Sequence, residues 1–241
     1  MTEPMEQPLR GQTALVTGAS RGIGAAVAEA LSDAGAKVAL LARSQDVVEA
    51  DAARLGGVAV PADVTDDASL WTALDDLVEH LGAPPHIVVN AAGVFGIEPC
   101  RSESVRQFDL NVSVNLRGTF LVVRALLPAM LERGMGTIVN VGSVAGRRAF
   151  PGNGAYSASK FGVRGYHEVL LEELRGTGVR ATLLEPAATD TSIWDPLDPD
   201  HDPSLPAREA MLLPRDVADA VLYVASLPPR VRIPLLQIEH S

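Results

Sequence analysis

Three side chains in the middle of this sequence have types and spacings suited to moving a proton. Tyr156 and Lys160 are four residues apart in a segment that predicts a helix, so their side chains lie on one face, a turn apart. A phenol titrates at about pH 10, and a neighbouring ammonium group lowers the pKa of a tyrosine. Ser143 follows an apolar run, where its hydroxyl could hydrogen-bond a substrate oxygen. Each residue alone is also common on surfaces and at caps, but together they could protonate a carbonyl oxygen.

A glycine-rich turn near the N-terminus could hold a dinucleotide. The apolar run Thr13–Thr17 leads directly into the turn, and a predicted helix follows. Glycines let backbone amides approach a pyrophosphate closely, at the positive end of the helix dipole. Glycines also punctuate ordinary turns, but the order strand, turn, helix favours dinucleotide binding. The expected contacts come from Gly18, Ser20, Arg21, Gly22, Ile23 and Gly24.

The end of the second predicted strand indicates which dinucleotide is bound. NAD enzymes commonly place an acid about 20 residues after the glycines, where it hydrogen-bonds the ribose 2′-hydroxyl. Between Lys37 and Gln45 this sequence has no acid, and it has Arg43 and Ser44 instead. Guanidinium groups suit a 2′-phosphate, so Arg43 and Arg21 predict NADP(H) as the cofactor. The alternative is that Arg43 is an ordinary solvated loop cation.

The elements that must position these residues alternate along the chain. Continuously apolar runs predict parallel strands buried on both faces: Thr13–Thr17, Lys37–Ala42, Val58–Pro61, His86–Asn90, Gly136–Gly142, Val179–Glu185 and Arg232–Ile238. The segments between them predict helices: Ile23–Ala34, Asp46–Leu55, Asp67–Leu81, Ser104–Glu132, Ala155–Arg175 and Pro214–Ala225. This alternation predicts an α/β Rossmann fold, a doubly wound seven-stranded parallel sheet with helices on both faces, in a single domain over residues 1–241.

One segment breaks the alternation. Between Pro186 and Pro214 the chain has four further prolines with acidic residues among them. The segment begins at the ligand-binding edge of the predicted sheet, so residues 188–213 are expected to form a mobile substrate lid. Trp194 is the side chain expected to pack against a bound substrate. The alternative is a rigid connector whose prolines only fix its path.

Composition argues against several classes of function. The 241 residues include 20 Lys and Arg and 30 Asp and Glu, a net charge of −10 that is unsuited to nucleic-acid binding. Cys100 is the only cysteine and the five histidines are scattered, so no disulfide and no metal site are expected. No apolar run reaches about 18 residues, and Met1–Arg10 lacks the apolar stretch of a signal peptide. The chain is therefore expected to be cytoplasmic and not to associate with membranes.

In its motifs and their order the sequence resembles the short-chain dehydrogenase/reductase family, from Gly11 to about Ile238. The motifs that carry the resemblance are Thr17-Gly18-Ala19-Ser20-Arg21-Gly22-Ile23-Gly24, Asp63-Val64, Asn90-Ala91-Ala92-Gly93, Asn115 within a helix, Ser143 after a strand, and Tyr156-Ser157-Ala158-Ser159-Lys160. The resemblance implies a catalytic tetrad of Asn115, Ser143, Tyr156 and Lys160, in which Asn115 holds a water that links Lys160 to solvent. It also implies cofactor contacts from Asp63, Val64, Asn90, Ala91, Ala92, Gly93, Tyr156, Lys160, Pro186, Thr189 and Thr191.

Two departures from the family pattern affect the edges of the site. The family's Pro-Gly after the sixth strand is Pro186-Ala187 here, which changes the expected loop conformation. The family's glycine-rich C-terminal ending is absent, and the chain ends in Pro234-Leu235-Leu236-Gln237-Ile238-Glu239-His240-Ser241.

The residues and the resemblance together predict an NADP(H)-dependent oxidoreductase acting on a small-molecule carbonyl or alcohol substrate. A second hypothesis is a 3-oxoacyl-carrier reductase, whose carrier would dock on Arg101, Arg106, Arg117, Arg124, Arg147 and Arg148. A third is a dinucleotide-sensing regulator without activity, although such a protein is expected to lack Tyr156 or Lys160. A homo-oligomer, a tetramer or a dimer, is implied by the resemblance and by surplus apolar residues in Phe120–Val123 and Val169–Leu171.

Overall fold

The computed structural model describes residues 7–241, which form one parallel sheet in the order β3-β2-β1-β4-β5-β6-β7. The strands are β1 Thr13–Thr17, β2 Lys37–Ala42, β3 Val58–Pro61, β4 Ile87–Asn90, β5 Gly136–Val141, β6 Val179–Pro186 and β7 Leu235–Ile238. The helices are α1 Gly22–Asp33, α2 Gln45–Leu55, α3 Asp67–Leu81, α4 Val105–Asn111, α5 Gly118–Arg133, α6 Gly154–Glu173 and α7 Pro214–Ser226. The predicted fold class is confirmed.

Strand order reverses between β1 and β4, and this reversal locates the ligand crevice. Ligands in open α/β sheets bind beyond the carboxyl ends of the strands at such a switch point. The glycine turn follows β1 and the Asn90-Ala91-Ala92-Gly93 segment follows β4, so both motifs lie at this crevice. Residues 1–6, and with them most of the Met1–Arg10 segment judged above, lie outside the described residues.

Two apolar layers cover the sheet. On one face, α1, α2 and α7 bury side chains such as Leu31, Val48 and Val221 against the strands. On the other face, α3, α5 and α6 bury residues such as Leu74 and Leu126. The strands are therefore buried on both sides, which explains why their sequences are continuously apolar rather than alternating.

The predicted elements are all present, with small differences at their ends. β7 begins at Leu235 rather than Arg232, because Pro234 has no amide to donate to a ladder and its carbonyl accepts instead from Leu183 N at 3.0 Å. The predicted helix Ser104–Glu132 is three consecutive helical segments, since a π turn over Val112–Arg117 separates α4 from α5.

This long helical run also bears on membrane association. Among the described residues, the helix Val105–Arg133 is long and apolar enough to cross a bilayer by length and composition, contrary to the expectation that no such segment exists. Its inner side includes Leu121, Val122 and Leu126, which pack in the core beneath the sheet. Within this fold it is a core helix.

Candidate active site

The glycine turn after β1 is shaped by contacts that leave no room for a side chain. Gly18 has φ +68°, and a Cβ there would lie 2.7 Å from Ala92 Cα. A Cβ on Gly24 would lie 2.3 Å from the carbonyl oxygen of Gly18. Thr17 joins the two motifs, because its Oγ1 accepts hydrogen bonds from Ala91 N and Ala92 N, both at 3.1 Å. The turn is therefore a backbone cradle that opens at the first turn of α1.

The predicted site residues converge on one large cleft of about 1010 Å³ at the carboxyl edge of the sheet. Asn90 and Asn115 are the only predicted residues that do not line it. The others do: Gly18, Ser20, Arg21, Gly22, Ile23, Gly24, Arg43, Ser44, Asp63, Val64, Ala91, Ala92, Gly93, Ser143, Tyr156, Lys160, Pro186, Thr189 and Thr191. The two asparagines lie behind the wall, so in this structure they act on the cleft through other residues.

Ser143, Tyr156 and Lys160 meet at the centre of the cleft. Ser143 follows β5, and its Oγ accepts a hydrogen bond from Ala145 N at 3.1 Å. Tyr156 and Lys160 lie in the first turns of α6, with Lys160 Nζ 5.7 Å from the centre of the Tyr156 ring. Lys160 Nζ donates to the carbonyl oxygen of Val141 at 2.9 Å, which ties α6 to the end of β5.

Burial governs the titration of both groups, and it corrects one expectation. Burial raises the pKa of Tyr156, while a hydrogen bond with Ser143 acts in the opposite direction. Burial lowers the pKa of Lys160 from 10.5 to about 8. The expectation of a lowered Tyr156 pKa is therefore wrong for this structure, because desolvation of the phenol outweighs the neighbouring groups that favour the phenolate.

Asn115 is a connection between three parts of the site. It lies on the π turn, its Oδ1 accepts from Val94 N at 2.8 Å, and its Nδ2 donates to Val94 O at 3.0 Å. The same Nδ2 lies 2.9 Å from Ser159 Oγ, next to Lys160 on α6. Asn115 thus fixes α6 relative to the segment after β4. The water that the resemblance assigns to it stays a prediction.

A buried polar chain beneath the cleft was not visible in the sequence. Asn90 Nδ2 donates to Asn140 Oδ1 at 2.9 Å, and Asn140 Nδ2 lies 3.2 Å from His167 Nδ1. His167 Nε2 lies 3.1 Å from the carbonyl oxygen of Pro234. Burial lowers the pKa of His167 to about 4, so the imidazole is neutral and one ring nitrogen can accept. Only the pairing of the strands could have indicated this chain, since Asn90 and Asn140 are opposite each other in the β4–β5 register.

The far end of the cleft from Tyr156 is cationic on its rim. Arg43 and Arg21 both line the cleft and are exposed. Arg43 Nη1 is 3.9 Å from Asp63 Oδ2, and this long contact leaves the guanidinium accessible, since 68% of the Arg43 side chain is exposed. Ala42 occupies the last position of β2 and brings no carboxylate to this rim.

The other end of the cleft is walled by aromatic side chains. Phe95 packs edge-on against Tyr156, with ring centres 4.7 Å apart, and against Trp194, with ring centres 4.9 Å apart. Phe95 was not singled out in the sequence, where it is only the second residue after Gly93. Trp194 lies on a short 3-10 turn within residues 188–213, so this segment reaches the aromatic wall beside Tyr156 through Phe95.

Comparison with known proteins decides the family. The family profile described as short chain dehydrogenase matches residues 12–202. This chain belongs to that family. A D-threitol dehydrogenase of Mycolicibacterium smegmatis is 38% identical over 227 residues, covering 90% of this chain and 87% of that protein. A glycine betaine reductase of Emericella nidulans is 37% identical over 241 residues, which are 96% of this chain and only 19% of that protein's length.

A solved relative also shows the same architecture. A metagenomic short-chain oxidoreductase in complex with NADP is 31% identical, with a TM-score of 0.81, covering 97% of this chain and 99% of that one. The short-chain dehydrogenase fold and its oxidoreductase chemistry therefore extend to this protein.

The residues present fit a dinucleotide of the family's kind. The cradle around Gly18 and Gly24 leaves no space for a side chain at either position. It opens at the N-terminus of α1, where a pyrophosphate is favoured. Asp63 and Val64 border the cleft on one side of the cradle, and Pro186 and Thr189 border it on the other. The cleft is also continuous from the arginine rim to Tyr156.

Proposed function

We propose that this short-chain dehydrogenase is an NADP(H)-dependent oxidoreductase that interconverts a carbonyl compound and the corresponding alcohol. The observation that carries the proposal is the meeting of Ser143, Tyr156 and Lys160 in the wall of a cleft that continues into the glycine cradle.

In the proposed reduction, Tyr156 is the proton donor. Its raised pKa keeps the phenol protonated at neutral pH, so the hydroxyl can donate to the carbonyl oxygen as charge develops there. Ser143 is the second donor to the same oxygen, which stabilises the developing negative charge in a site partly shielded from water. When NADPH is bound, it supplies the hydride. In the reverse direction Tyr156 takes the proton of the alcohol.

Lys160 contributes a positive charge beside Tyr156, as the spacing of four residues predicted. Its ammonium lies beside the Tyr156 ring and hydrogen-bonds Val141 O, so it stabilises the phenolate formed once the proton has been transferred. Because its pKa is about 8, Lys160 is largely protonated at neutral pH. The positive charge of Lys160 matters for this role once the Tyr156 phenolate has formed.

The preference for NADP(H) over NAD(H) is supported by three features of the rim. Arg21 and Arg43 line it, Ala42 stands where an acid would repel a 2′-phosphate, and the metagenomic relative was solved with NADP. The test is kcat/KM with NADPH and with NADH for wild type and Ala42→Asp. We expect wild type to favour NADPH and the variant to shift towards NADH by charge repulsion. Equal values in wild type would overturn the cofactor assignment.

Activity itself is tested by NADPH oxidation against aldehydes, ketones, diketones and 3-oxoacyl thioesters. Turnover that disappears in Tyr156→Phe supports the proposal. Binding of NADPH without turnover of any member of the panel favours a regulatory dinucleotide sensor. The carrier-protein alternative has little support in the arginines proposed for docking: Arg147 is paired with Glu185 and Glu239, and Arg117 with Asp67.

A further inference from the structure

The cleft is positively charged in a negatively charged protein. The whole chain has a net charge of −10, yet the described residues that line the cleft include five cations and two carboxylates. The cations are Arg21, Arg43, Arg147, Arg148 and Lys160, and the carboxylates are Asp63 and Glu239. Such a reversal of sign attracts an anionic ligand. The dinucleotide site proposed above explains Arg21 and Arg43, and the proposed chemistry uses Lys160.

Arg147 is neutralised by the protein. Its Nε is 3.3 Å from Glu185 Oε2 and its Nη2 is 2.5 Å from Glu239 Oε1. Glu185 is buried, with 1% of its side chain exposed, and also receives Arg164 Nη1 at 3.0 Å. Arg147 therefore fastens the loop after Ser143 to β6 and to the C-terminal residues, and no charge is left over for a ligand.

Arg148 is the cation that remains without an assignment. Among residues 7–241 it makes no ion pair, although it is exposed and its neighbour in sequence makes two. Its guanidinium carbon lies 5.4 Å from the centre of the Phe150 ring, which supports the group on one side and leaves its N–H edge available. Both side chains line the cleft in the loop between Ser143 and Tyr156.

The cleft that holds Arg148 also has a large apolar lining, which includes Phe150 beside its guanidinium. Phe95, Ile97, Phe150, Ile193, Trp194 and Leu205 line the cleft; Phe95 packs on Tyr156, and Trp194 packs on Phe95. A polyol would have to place some of its hydroxyls against these apolar side chains, which offer no hydrogen-bond partners, and that contact is costly. A hydrocarbon segment gains free energy there with each methylene that leaves water.

We propose that the substrate is an oxo acid: a ketone whose carbonyl lies at Tyr156 and whose carboxylate, across a short hydrocarbon spacer, pairs with Arg148. The proposal rests on the carbonyl reductase function above and adds its substrate class. In the reduction, hydride from NADPH forms the new C–H bond at the carbonyl carbon and the Tyr156 proton forms the O–H bond. The products are NADP⁺ and a hydroxy acid, and the carboxylate is unchanged.

The test compares acids with their own neutral esters. The series 4-oxopentanoate, 5-oxohexanoate, 6-oxoheptanoate and 7-oxooctanoate is assayed with NADPH beside the four methyl esters. At one length we expect kcat/KM for the acid to exceed that for its ester by about tenfold, as a charge-assisted hydrogen bond provides. In Arg148→Gln we expect the acid-to-ester ratio at that length to fall to about one, while Arg148→Lys retains part of it. Raised salt should reduce the ratio in wild type.

A charge-matched control separates a local contact from the overall field. Arg230 is exposed, does not line the cleft, and Arg230→Gln removes the same charge. This variant should keep the wild-type ratio. A ratio that falls equally in Arg230→Gln and Arg148→Gln, or that is about one in wild type at every length, overturns the proposal.

A binding measurement separates this proposal from the proposed function. Calorimetry of the same acid and ester with the NADP⁺ complex, which cannot reduce them, should show tighter binding of the acid in wild type than in Arg148→Gln. Reduction of acids and esters at equal rates, with equal affinities, overturns the oxo-acid assignment and leaves the carbonyl reductase intact. Arg148-dependent binding of the acid without any reduction would support the carboxylate site at Arg148 and overturn the carbonyl reductase function.

Discussion

The ring of Tyr156 is held by packing that does not depend on its hydroxyl group. Phe95 contacts the ring edge-on and Lys160 lies over its face at 5.7 Å, so a phenylalanine fits the same space. Tyr156→Phe should therefore lower kcat by about 10² to 10⁴, the usual contribution of a general acid, and leave NADPH affinity within about twofold. Steady-state kinetics and cofactor fluorescence titration measure the two quantities. Tyr223→Phe, an exposed tyrosine on α7, is the matched control. A variant that keeps more than a tenth of wild-type kcat contradicts the proton-donor role.

Lys160 lowers the stability of the fold while its charge is buried. Its pKa of about 8 lies below the 10.5 of an exposed lysine, a difference equivalent to about 3 kcal/mol. Lys160→Met removes this cost and loses the hydrogen bond to Val141 O, worth about 1 kcal/mol. We expect the variant to be more stable than wild type by about 2 kcal/mol at pH 7, and inactive.

The sign of the pH dependence follows from the direction of this shift. Between pH 8 and 10.5 the unfolded chain holds a proton that the folded protein has released, so the stability of wild type rises with pH in this window. Urea unfolding across it should show the advantage of Lys160→Met disappearing. Lys37→Met changes the other lysine of the chain, which is exposed, and its stability relative to wild type should not change in this way with pH. A constant advantage from pH 7 to 11 would mean that burial does not penalise the Lys160 charge.

At the scale of single residues, the sequence predicted the groups whose spacing is local. Tyr156 and Lys160 are one helical turn apart, so their proximity needs no knowledge of the fold. Phe95 and Asn140 could not be singled out in this way, because their contacts depend on how segments distant in sequence are placed. The pKa of Tyr156 was misjudged for the same reason: desolvation depends on the whole cleft, whereas the neighbouring charge is visible in the sequence.

Among the elements, strands and helices were predicted closely because each has its own signal. Continuous apolar runs indicate strands covered on both faces, and Asp66 caps α3 by accepting from Ser69 N at the predicted start. The π turn at Val112–Arg117 has no comparable signal. Its extra residue per turn directs Asn115 towards Val94 and Ser159, as π segments often do at functional sites.

The segment over residues 188–213 has more internal structure than its prolines suggested. A bridge between Thr189 and Leu212 closes its base. Arg208 holds its interior, with Nη1 2.5 Å from Asp190 Oδ1 and Nη2 2.7 Å from Asp195 Oδ1. These contacts give a physical reason why the segment can stay over the cleft. That the segment also opens, as a lid must, stays a prediction.

Limited proteolysis tests the lid prediction. Cleavage within residues 192–207 should occur in the free protein and be suppressed by NADPH with substrate, because closure buries Trp194 and excludes water from the cleft. Arg208→Met should increase cleavage several-fold by releasing Asp190 and Asp195. Arg215→Met removes a similar ion pair, to Asp219, from α7 outside the segment and should have no effect. Equal resistance of wild type with and without ligands would favour the rigid connector.

For the whole molecule, the sequence predicted the fold from alternation but could not show where the charges converge. The net charge of −10 describes the surface as a whole, and the cleft has the opposite sign because arginines from separate loops meet there. Only the folded arrangement shows that Arg147 is paired with Glu185 and Glu239 while Arg148, the next residue, is available.

Oligomerisation is the prediction that belongs to the molecule as a whole. Part of the surplus apolar sequence is explained within one chain, since Leu121, Val122 and Val123 are buried. Three other side chains on α5 and α6 are not covered: Phe120, Phe161 and Val169 are 40%, 47% and 56% exposed. Phe161 and Val169 are eight residues apart on one face of α6, so they form a stripe that a second copy could cover.

We expect light scattering to give a mass that is two or four times 25.3 kDa. Val169→Arg places a charge on the stripe, where pairing with another copy would bury it without a partner, so this variant should be a monomer at micromolar concentration. Ala50→Arg adds the same charge to the exposed side of α2 and should leave the assembly intact. Because α6 also holds Tyr156 and Lys160, the monomeric variant is expected to unfold at a lower temperature and to lose activity with it. A wild-type protein that is monomeric at micromolar concentration contradicts the prediction, and the exposed stripe would then be a surface of the single chain.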